Sequence, residues 1–138
     1  GRGETRSRGI TATASNCDRV GKAACDYLCG RSEIDGDRLA LFGWSMGSYW
    51  GTRMAVAEPR IKACAVGAPC LEPSHHTLDE VRSSKRLVVF EGERHSIPHY
   101  PQVRTTMVDW LKDRLEGKPF NSEKVFVEVG GREVKVGL

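Results

Sequence analysis

Residues 43–47 read Gly-Trp-Ser-Met-Gly, a G-x-S-x-G pattern between an apolar, strand-like run at residues 38–42 and a helix-compatible run at residues 49–57. A serine hydroxyl becomes a useful nucleophile when a sharp strand-to-helix turn holds it exposed beside a base. Because the strand end and the helix start approach closely at such a turn, we expect small residues there, as Gly43 and Gly47 are. Ser45 is therefore the candidate nucleophile, and the peptide N–H of Met46 is the candidate donor to an oxyanion.

Strand-like and helix-like runs alternate along most of the chain. Apolar runs at residues 38–42, 61–67 and 87–90 predict buried strands, and periodic runs predict helices between them. This alternation favours an α/β fold with a mostly parallel sheet flanked by helices. The last segment instead alternates with period two on both sides of Gly130-Gly131, which predicts a C-terminal β-hairpin. We therefore expect a domain at residues 1–120 and a hairpin extension at residues 121–138.

The first long helix is expected to follow a capping-box-like start formed by Ser15 and Asp18, and to end at Gly30. Helical spacing places four apolar residues on one stripe that we expect to face the core, namely Val20, Ala24, Tyr27 and Leu28. The segment before this helix has no apolar period and is expected to be a loop.

Composition narrows the class of protein. The chain has 138 residues, of which 39% are hydrophobic, and this suits one modest domain with a core. Its 21 basic and 18 acidic side chains are interspersed, which is not a nucleic-acid-binding pattern. No run approaches the roughly 20 apolar residues of a membrane span. No charged-then-apolar leader opens the sequence, so we expect a soluble, cytoplasmic protein with no membrane or nucleic-acid partner.

The five cysteines are odd in number and lack C-x-x-C spacing. We expect them to be buried, reduced thiols rather than disulfides or metal ligands, and no metal or organic cofactor is expected. They are Cys17, Cys25, Cys29, Cys64 and Cys70.

His95 is the candidate general base. Open α/β sheets place their sites beyond the carboxyl ends of the strands, and His95 is the histidine that comes directly after a predicted strand. The pair His75-His76 lacks that placement and is interpreted as solvated. Asp35 and Asp37 precede the strand that leads to Ser45, so they are expected at the wrong end of the sheet for catalysis.

The acid that would orient the histidine is not fixed by the sequence. Glu72 follows the second predicted strand at its carboxyl end and is the tentative choice. Asp79 could reach the site from a helix, and an acid outside this sequence is a third possibility. Glu91 and Glu93 are too close to the histidine in sequence, while Glu58 lies at the far end of the helix after the serine.

Five further segments, in order, resemble one family. Residues 1–5 are similar to a G-x-G-E-S turn, residues 33–40 to E-V-D-x-D-R-I-A, and residues 58–64 to E-P-R-I-K-A-C. Residues 92–95 and 108–115 are similar to a G-x-x-H loop and a D-W-L-x-D-x-L helix. Together with G-x-S-x-G, they resemble the α/β-hydrolase superfamily, in particular its esterase-like and carbon–carbon-bond hydrolases of the dihydroxypseudooxynicotine hydrolase type.

This resemblance implies a serine hydrolase that cleaves an ester or a diketone-like C–C bond through a Ser-His-acid mechanism and an acyl-enzyme. It implies Ser45 as nucleophile and His95 as base. Members of the family carry further strands and an oxyanion loop before the point where this sequence begins. They also carry a lid and a strand with the catalytic aspartate where this chain has only residues 68–86. We therefore expect a partial, C-terminal α/β-hydrolase domain.

The alternative is a catalytically incomplete fragment or binding module that needs further segments or a partner. A small-molecule substrate is expected in the first case, and a homo-oligomer or a complementary chain covering the sheet edge is possible in either. Trp44, Tyr49 and Trp50 beside the serine are interpreted as core residues rather than as a substrate pocket. The substrate and the second oxyanion donor are not specified by the sequence.

Overall fold

The structure, a computed structural model, describes residues 3–68, 86–90, 100–128 and 130–136. These residues have mixed α/β content, with small sheets that contain parallel strand pairs and with three longer helices. In the described part of the chain, no helix combines the length and apolar character needed to cross a membrane.

The N-terminal part consists of two helices, α1 (Glu4–Ser7) and α2 (Ala14–Cys29). The sequence did not predict α1. The cap of α2 lies two residues before the predicted one, because the hydroxyl oxygen of Thr13 accepts a hydrogen bond from the Asn16 N–H at 3.3 Å. This bond satisfies one of the N–H groups that a helix start leaves without an intrahelical partner.

The face that α2 buries is not the predicted stripe. Val20 and Tyr27 are 39% and 65% exposed, whereas Gly21 and Cys25 are buried. A Cβ atom on Gly21 would lie 3.0 Å from the Cγ of Met54, so α2 packs closely on the next long helix at this glycine. Backbone proximity, rather than side-chain hydrophobicity, therefore selects the buried face.

A strand–helix–strand unit follows α2. A short 3₁₀ turn (Gly36–Arg38) leads to β1 (Leu39–Trp44), then to α3 (Met46–Ala57) and β2 (Ile61–Gly67). The two strands pair in parallel, with Leu41 beside Cys64 and Trp44 beside Gly67. A Cβ atom on Gly51 of α3 would lie 2.5 Å from the Cδ2 of Leu41, which shows how closely this helix packs on β1.

The remaining described elements form a second sheet and one helix. β3 (Arg86–Phe90) pairs in parallel with β4 (Glu123–Val127), and β4 pairs in antiparallel fashion with β5 (Glu133–Val136). The predicted hairpin is thus confirmed, and Gly130 and Gly131 adopt positive φ angles of 103° and 87° at its turn. Its parallel pairing with β3 was not predicted, because a short-range turn pattern carries no information about long-range partners.

Helix α4 (Val103–Leu115) joins the two sheets through one core. Val125 and Val127 of β4 are buried together with Ala65 of β2 and with Tyr100 and Val103, and Met107 completes this cluster. The Tyr100 hydroxyl also donates a hydrogen bond to the Glu128 carbonyl at 3.0 Å. The first strand of the hairpin therefore contributes directly to the hydrophobic core.

Strand β1 was expected to be covered on both faces, and this expectation is wrong for one of them. Phe42 is 44% exposed and Ala40 is also exposed. The physical reason is the position of α4, which packs mainly against β2 and only marginally against β1. In the described part of the chain, β1 pairs on one side only, with β2.

Candidate active site

The polypeptide turns sharply at Ser45. β1 ends at Trp44 and α3 begins at Met46, so one residue separates strand from helix. Ser45 has φ 55° and ψ −121°, in the left-handed half of conformational space that residues with a Cβ rarely adopt. Such a conformation costs on the order of 1–3 kcal/mol and persists only where the surroundings enforce it.

The two glycines of the motif have different roles. A Cβ atom on Gly43 would lie 2.4 Å from the carbonyl oxygen and 2.9 Å from the carbonyl carbon of Gly47, so the turn requires a glycine at position 43. A Cβ atom on Gly47 would meet no described atom within 4 Å. The expectation that both residues must be small is therefore correct for Gly43 and wrong for Gly47.

Hydrogen bonds hold both peptide groups of Ser45. Its N–H donates to the Gly67 carbonyl at 3.0 Å, which ties the end of β1 to the end of β2. Its carbonyl accepts from the N–H of Ser48 at 2.8 Å and from the Ser48 hydroxyl at 2.6 Å. Ser48 is fully buried, so this anchor is shielded from water. The surroundings therefore fix the strained backbone, while Ser45 itself is only partly buried.

The first turn of α3 places the positive end of the helix dipole beside Ser45. Met46 is the first helical residue, and N–H groups of a first turn have no partner within the helix itself and carry the positive end of its dipole. An anion that forms beside Ser45 would therefore meet the Met46 N–H in a favourable field. This is the position in which the sequence placed the oxyanion donor.

A second strained residue lies at the same edge of the sheet. Ala68, directly after β2, has φ 48° and is 2% exposed. It follows Gly67, the residue whose carbonyl holds the Ser45 N–H, so two neighbouring strands end in left-handed, non-glycine residues. The sequence analysis missed Ala68 because alanine gives no signal for a positive φ.

Of the aromatic residues near the serine, Trp44 packs inward, as predicted, whereas Tyr49 and Trp50 are half-buried. Trp44 lies against the core cluster, and a Cβ atom on Gly67 would be 2.4 Å from its ring. The rings of Tyr49 and Trp50 contact each other edge to face, with centroids 4.6 Å apart. Arg104 of α4 lies over the Trp44 ring at 5.3 Å, a contact between distant parts of the chain that no sequence pattern indicated.

The carboxylates that the sequence assigned to the wrong end of the sheet do have structural roles there. The Asp35 side chain accepts a hydrogen bond from the Asp37 N–H at 3.1 Å and caps the 3₁₀ turn before β1. Glu58 directly follows the last residue of α3, about 18 Å of helix away from the serine. It therefore cannot be the acid of a triad at Ser45.

The carboxylate of Glu58 is paired with the guanidinium of Arg60. Its side chain is 8% exposed, and its Oε1 accepts a hydrogen bond from the Nε of Arg60 at 2.8 Å. Hydrogen bonds from this guanidinium hold the pKa of Glu58 down at about 2. Arg60 also pairs with Asp26 at 2.8 Å, so the cluster links α2 to the start of β2.

The candidate base and acids lie outside the described residues. These are His95, Glu72 and Asp79, and Cys70 and the other three histidines lie outside them as well. The structure thus describes the nucleophile half of the predicted site, with Ser45 and Met46 placed as the motif requires. The assignments of nucleophile, oxyanion donor, base and acid all stay predictions.

Two clefts in the described part of the molecule lie away from Ser45. One, of about 290 Å³, is lined by Arg86, Trp110, Arg114 and Phe120 among others, and one of about 550 Å³ lies between Ile10 and α2. Arg114 is stacked against Trp110 and Phe120, at 4.7 and 4.8 Å from their ring centroids. Neither cleft includes a residue that the sequence assigned to catalysis.

The described cysteines are free thiols, namely Cys17, Cys25, Cys29 and Cys64. Cys29 is exposed, in contrast to the expectation that all would be buried, because it lies on the outer side of the last turn of α2. Burial raises the pKa of Cys64 to about 11. Within the described residues, no group of three or more histidine, cysteine, aspartate or glutamate side chains is arranged to hold a metal ion.

The chain was compared with protein-family models and with curated proteins. No protein-family model matches the chain, and no curated protein matches it either. The case for a family therefore rests on the sequence segments and on the geometry around Ser45.

Proposed function

We propose that this chain is a serine hydrolase domain of the α/β-hydrolase type, which cleaves an ester or a diketone-like C–C bond through an acyl-enzyme. The observation that carries this proposal is the backbone of Ser45. A strained, left-handed serine lies between a parallel strand and a helix start, near a glycine at which an added Cβ atom would force backbone atoms apart. Such strain is retained where it exposes a reactive side chain, and an ordinary strand–helix turn does not need it.

In the proposed mechanism, His95 removes the proton from the Ser45 hydroxyl as its oxygen attacks the substrate carbonyl. The oxyanion that forms is stabilised by the Met46 N–H at the positive end of α3. His95 then returns the proton to the leaving group, which departs as an alcohol from an ester or as a ketone from a diketone. Water attacks the acyl-enzyme, releases the acid and regenerates Ser45.

An acid would complete the mechanism by fixing the tautomer and orientation of the histidine. Glu72 is the tentative choice, with Asp79 or an acid outside this sequence as the alternatives. Loss of such an acid costs a serine triad on the order of ten-thousandfold in kcat. The contribution of each candidate is therefore measurable by substitution with the corresponding amide.

A second candidate function is a catalytically incomplete domain that binds a complementary segment or partner. The exposure of β1 favours it, since parallel strands are normally covered on both faces. Phe42 is 44% exposed and, in the described part of the chain, β1 has a neighbour on one side only. Analytical ultracentrifugation combined with an esterase assay separates the two candidates. A chain that is both monomeric and hydrolytically active does not need a partner.

Trapping the acyl-enzyme tests the proposal directly. The wild-type chain is mixed with 4-nitrophenyl acetate, quenched in acid within seconds and analysed by intact mass. We expect a single acetyl adduct on the peptide that contains Ser45, and no adduct there in Ser45→Ala. A folded wild-type chain that carries no adduct at Ser45 under these conditions would contradict the proposed function.

A further inference from the structure

Arg104 contacts the residue that directly precedes the candidate nucleophile, although the two are far apart in sequence. Its guanidinium carbon is 5.3 Å from the centroid of the Trp44 ring, and Trp44 directly precedes Ser45. Arg104 is the second residue of α4, and it is exposed. Adding this contact to ordinary side-chain lengths and to one Cα–Cα step of about 3.8 Å places the guanidinium within about 15 Å of the serine hydroxyl. A small-molecule substrate bridges such a distance.

Among the described residues, Arg104 makes a cation–π contact with Trp44. Such a contact is made by the charge of the guanidinium and leaves its N–H groups available as hydrogen-bond donors. Within the described ranges, no carboxylate forms an ion pair with Arg104. By contrast, Arg60 and Arg132 each pair with a nearby glutamate, at 2.5 and 2.6 Å. Arg104 thus presents a planar set of donors that suits a carboxylate.

The ring that Arg104 contacts is tightly packed. The Trp44 ring is packed so tightly on β2 that a Cβ atom on Gly67 would lie 2.4 Å from it, and that same Cβ would lie 2.9 Å from the Sδ of Met107. The ring cannot move toward the sheet without displacing core residues. The ring therefore offers the exposed Arg104 side chain a fixed surface to contact, next in sequence to Ser45.

We propose that Arg104 is a substrate-binding residue that pairs with a carboxylate on the substrate cleaved at Ser45. The preferred substrate class is then an ester or ketone that carries a carboxylate several bonds away from the reacting carbonyl. This inference rests on the proposed function, and it adds a specificity that the G-x-S-x-G motif does not contain.

A pair of matched esters tests the charge preference. One is the 4-nitrophenyl ester of a medium-chain dicarboxylic acid with its second carboxylate free, and the other carries that carboxylate as a primary amide. The readout is the ratio of kcat/KM for the anionic ester to that for the neutral one. We expect Arg104→Gln to lower this ratio about tenfold, the effect of losing one charge-assisted hydrogen bond to the substrate.

Lys112→Gln is the matched control. Lys112 lies on the same helix, two turns further along, and its side chain is 68% exposed. The substitution therefore removes the same charge without changing the contact between Arg104 and Trp44. We expect its ratio to equal that of the wild type. An equal drop in both variants would show a general effect of charge and overturn the role of Arg104, as would an unchanged ratio in Arg104→Gln.

A binding measurement tests the role of Arg104 without any substrate turnover. Benzoate and neutral benzamide are titrated into the ¹⁵N-labelled chain, and the indole N–H signal of Trp44 is followed, assigned through Trp44→Phe. We expect benzoate to shift this signal at lower concentration than benzamide in the wild type, and this preference to disappear in Arg104→Gln. If the wild type shows no preference for benzoate, the inference fails. Failure of the hydrolase proposal is a separate result, namely the absence of an acyl adduct on Ser45.

Discussion

A Cβ atom on Gly43 would lie 2.4 Å from the carbonyl oxygen of Gly47, closer than any ordinary contact between these atoms. The end of β1 and the first turn of α3 therefore meet at a distance that only glycine permits. Ser45 lies between them with φ 55°, so the contact and the strained serine are two parts of one turn.

Gly43→Ala is expected to destabilise the protein by about 2–3 kcal/mol, because the added methyl group forces backbone atoms apart. Gly47→Ala is the matched control, since a Cβ there meets no described atom within 4 Å. Alanine favours helix over glycine by up to about 1 kcal/mol, so this variant should be unchanged or slightly more stable. Urea unfolding measures both, and equal destabilisation by the two variants would contradict the close contact at Gly43.

Replacing Ser45 should reveal the strain at the turn. Glycine adopts positive φ without penalty, so we expect Ser45→Gly to be more stable than Ser45→Ala by about 1 kcal/mol. Both variants lack the hydroxyl, and the comparison therefore isolates the backbone from the side-chain interactions of the serine. A lower free energy of unfolding for Ser45→Gly than for Ser45→Ala would show that the turn is not strained.

The pair formed by Glu58 and Arg60 should make stability depend on pH in acid. The pKa of Glu58 is about 2 in the folded chain, below the value of about 4.5 for a free glutamate. A lowered folded-state pKa gives stability that is fully present above pH 4.5 and is lost as the pH falls toward 2. Glu58→Gln should remove this part of the pH dependence. Free energies of unfolding measured from pH 6 to pH 2 test it, and parallel curves for wild type and variant would exclude the effect.

Strand β4 of the hairpin should contribute strongly to the stability of the fold. Val125 of β4 is completely buried in the core cluster, whereas Val134 of β5 is 36% exposed. We expect Val125→Ala to cost about 2–3 kcal/mol and Val134→Ala less than about 1 kcal/mol. Thermal or urea unfolding distinguishes them. Equal effects of the two substitutions would mean that β4 does not belong to the core.

Short-range patterns predicted the parts of the fold that short-range physics controls. The strand before Ser45, the helix after it and the turn at Gly130-Gly131 each depend on neighbouring residues, and all three lie where the sequence placed them. The prediction of the buried face of α2 was wrong because Gly21 permits close contact with Met54, and hydrophobic periodicity assigns glycine no weight.

Contacts between segments that are distant along the chain could not be predicted from the sequence. The parallel pairing of β3 with β4, the incomplete cover of Phe42 and the stacking of Arg104 on Trp44 all join segments that are distant along the chain. The nucleophile turn was predictable because the motif encodes it locally. The partners that the proposed catalysis requires depend on how separate loops meet, so the identity of the acid stayed open among Glu72, Asp79 and an acid outside this sequence.

The most direct test of the nucleophile assignment is labelling with a fluorophosphonate probe, read by intact mass on wild type, Ser45→Ala and His95→Ala, with circular dichroism to confirm that each is folded. Fluorophosphonates react with serines that a neighbouring base activates. We predict one probe per wild-type chain, none in Ser45→Ala, and strongly slowed labelling in His95→Ala. A folded wild-type chain that stays unlabelled, or a Ser45→Ala variant that labels as the wild type does, would contradict the account.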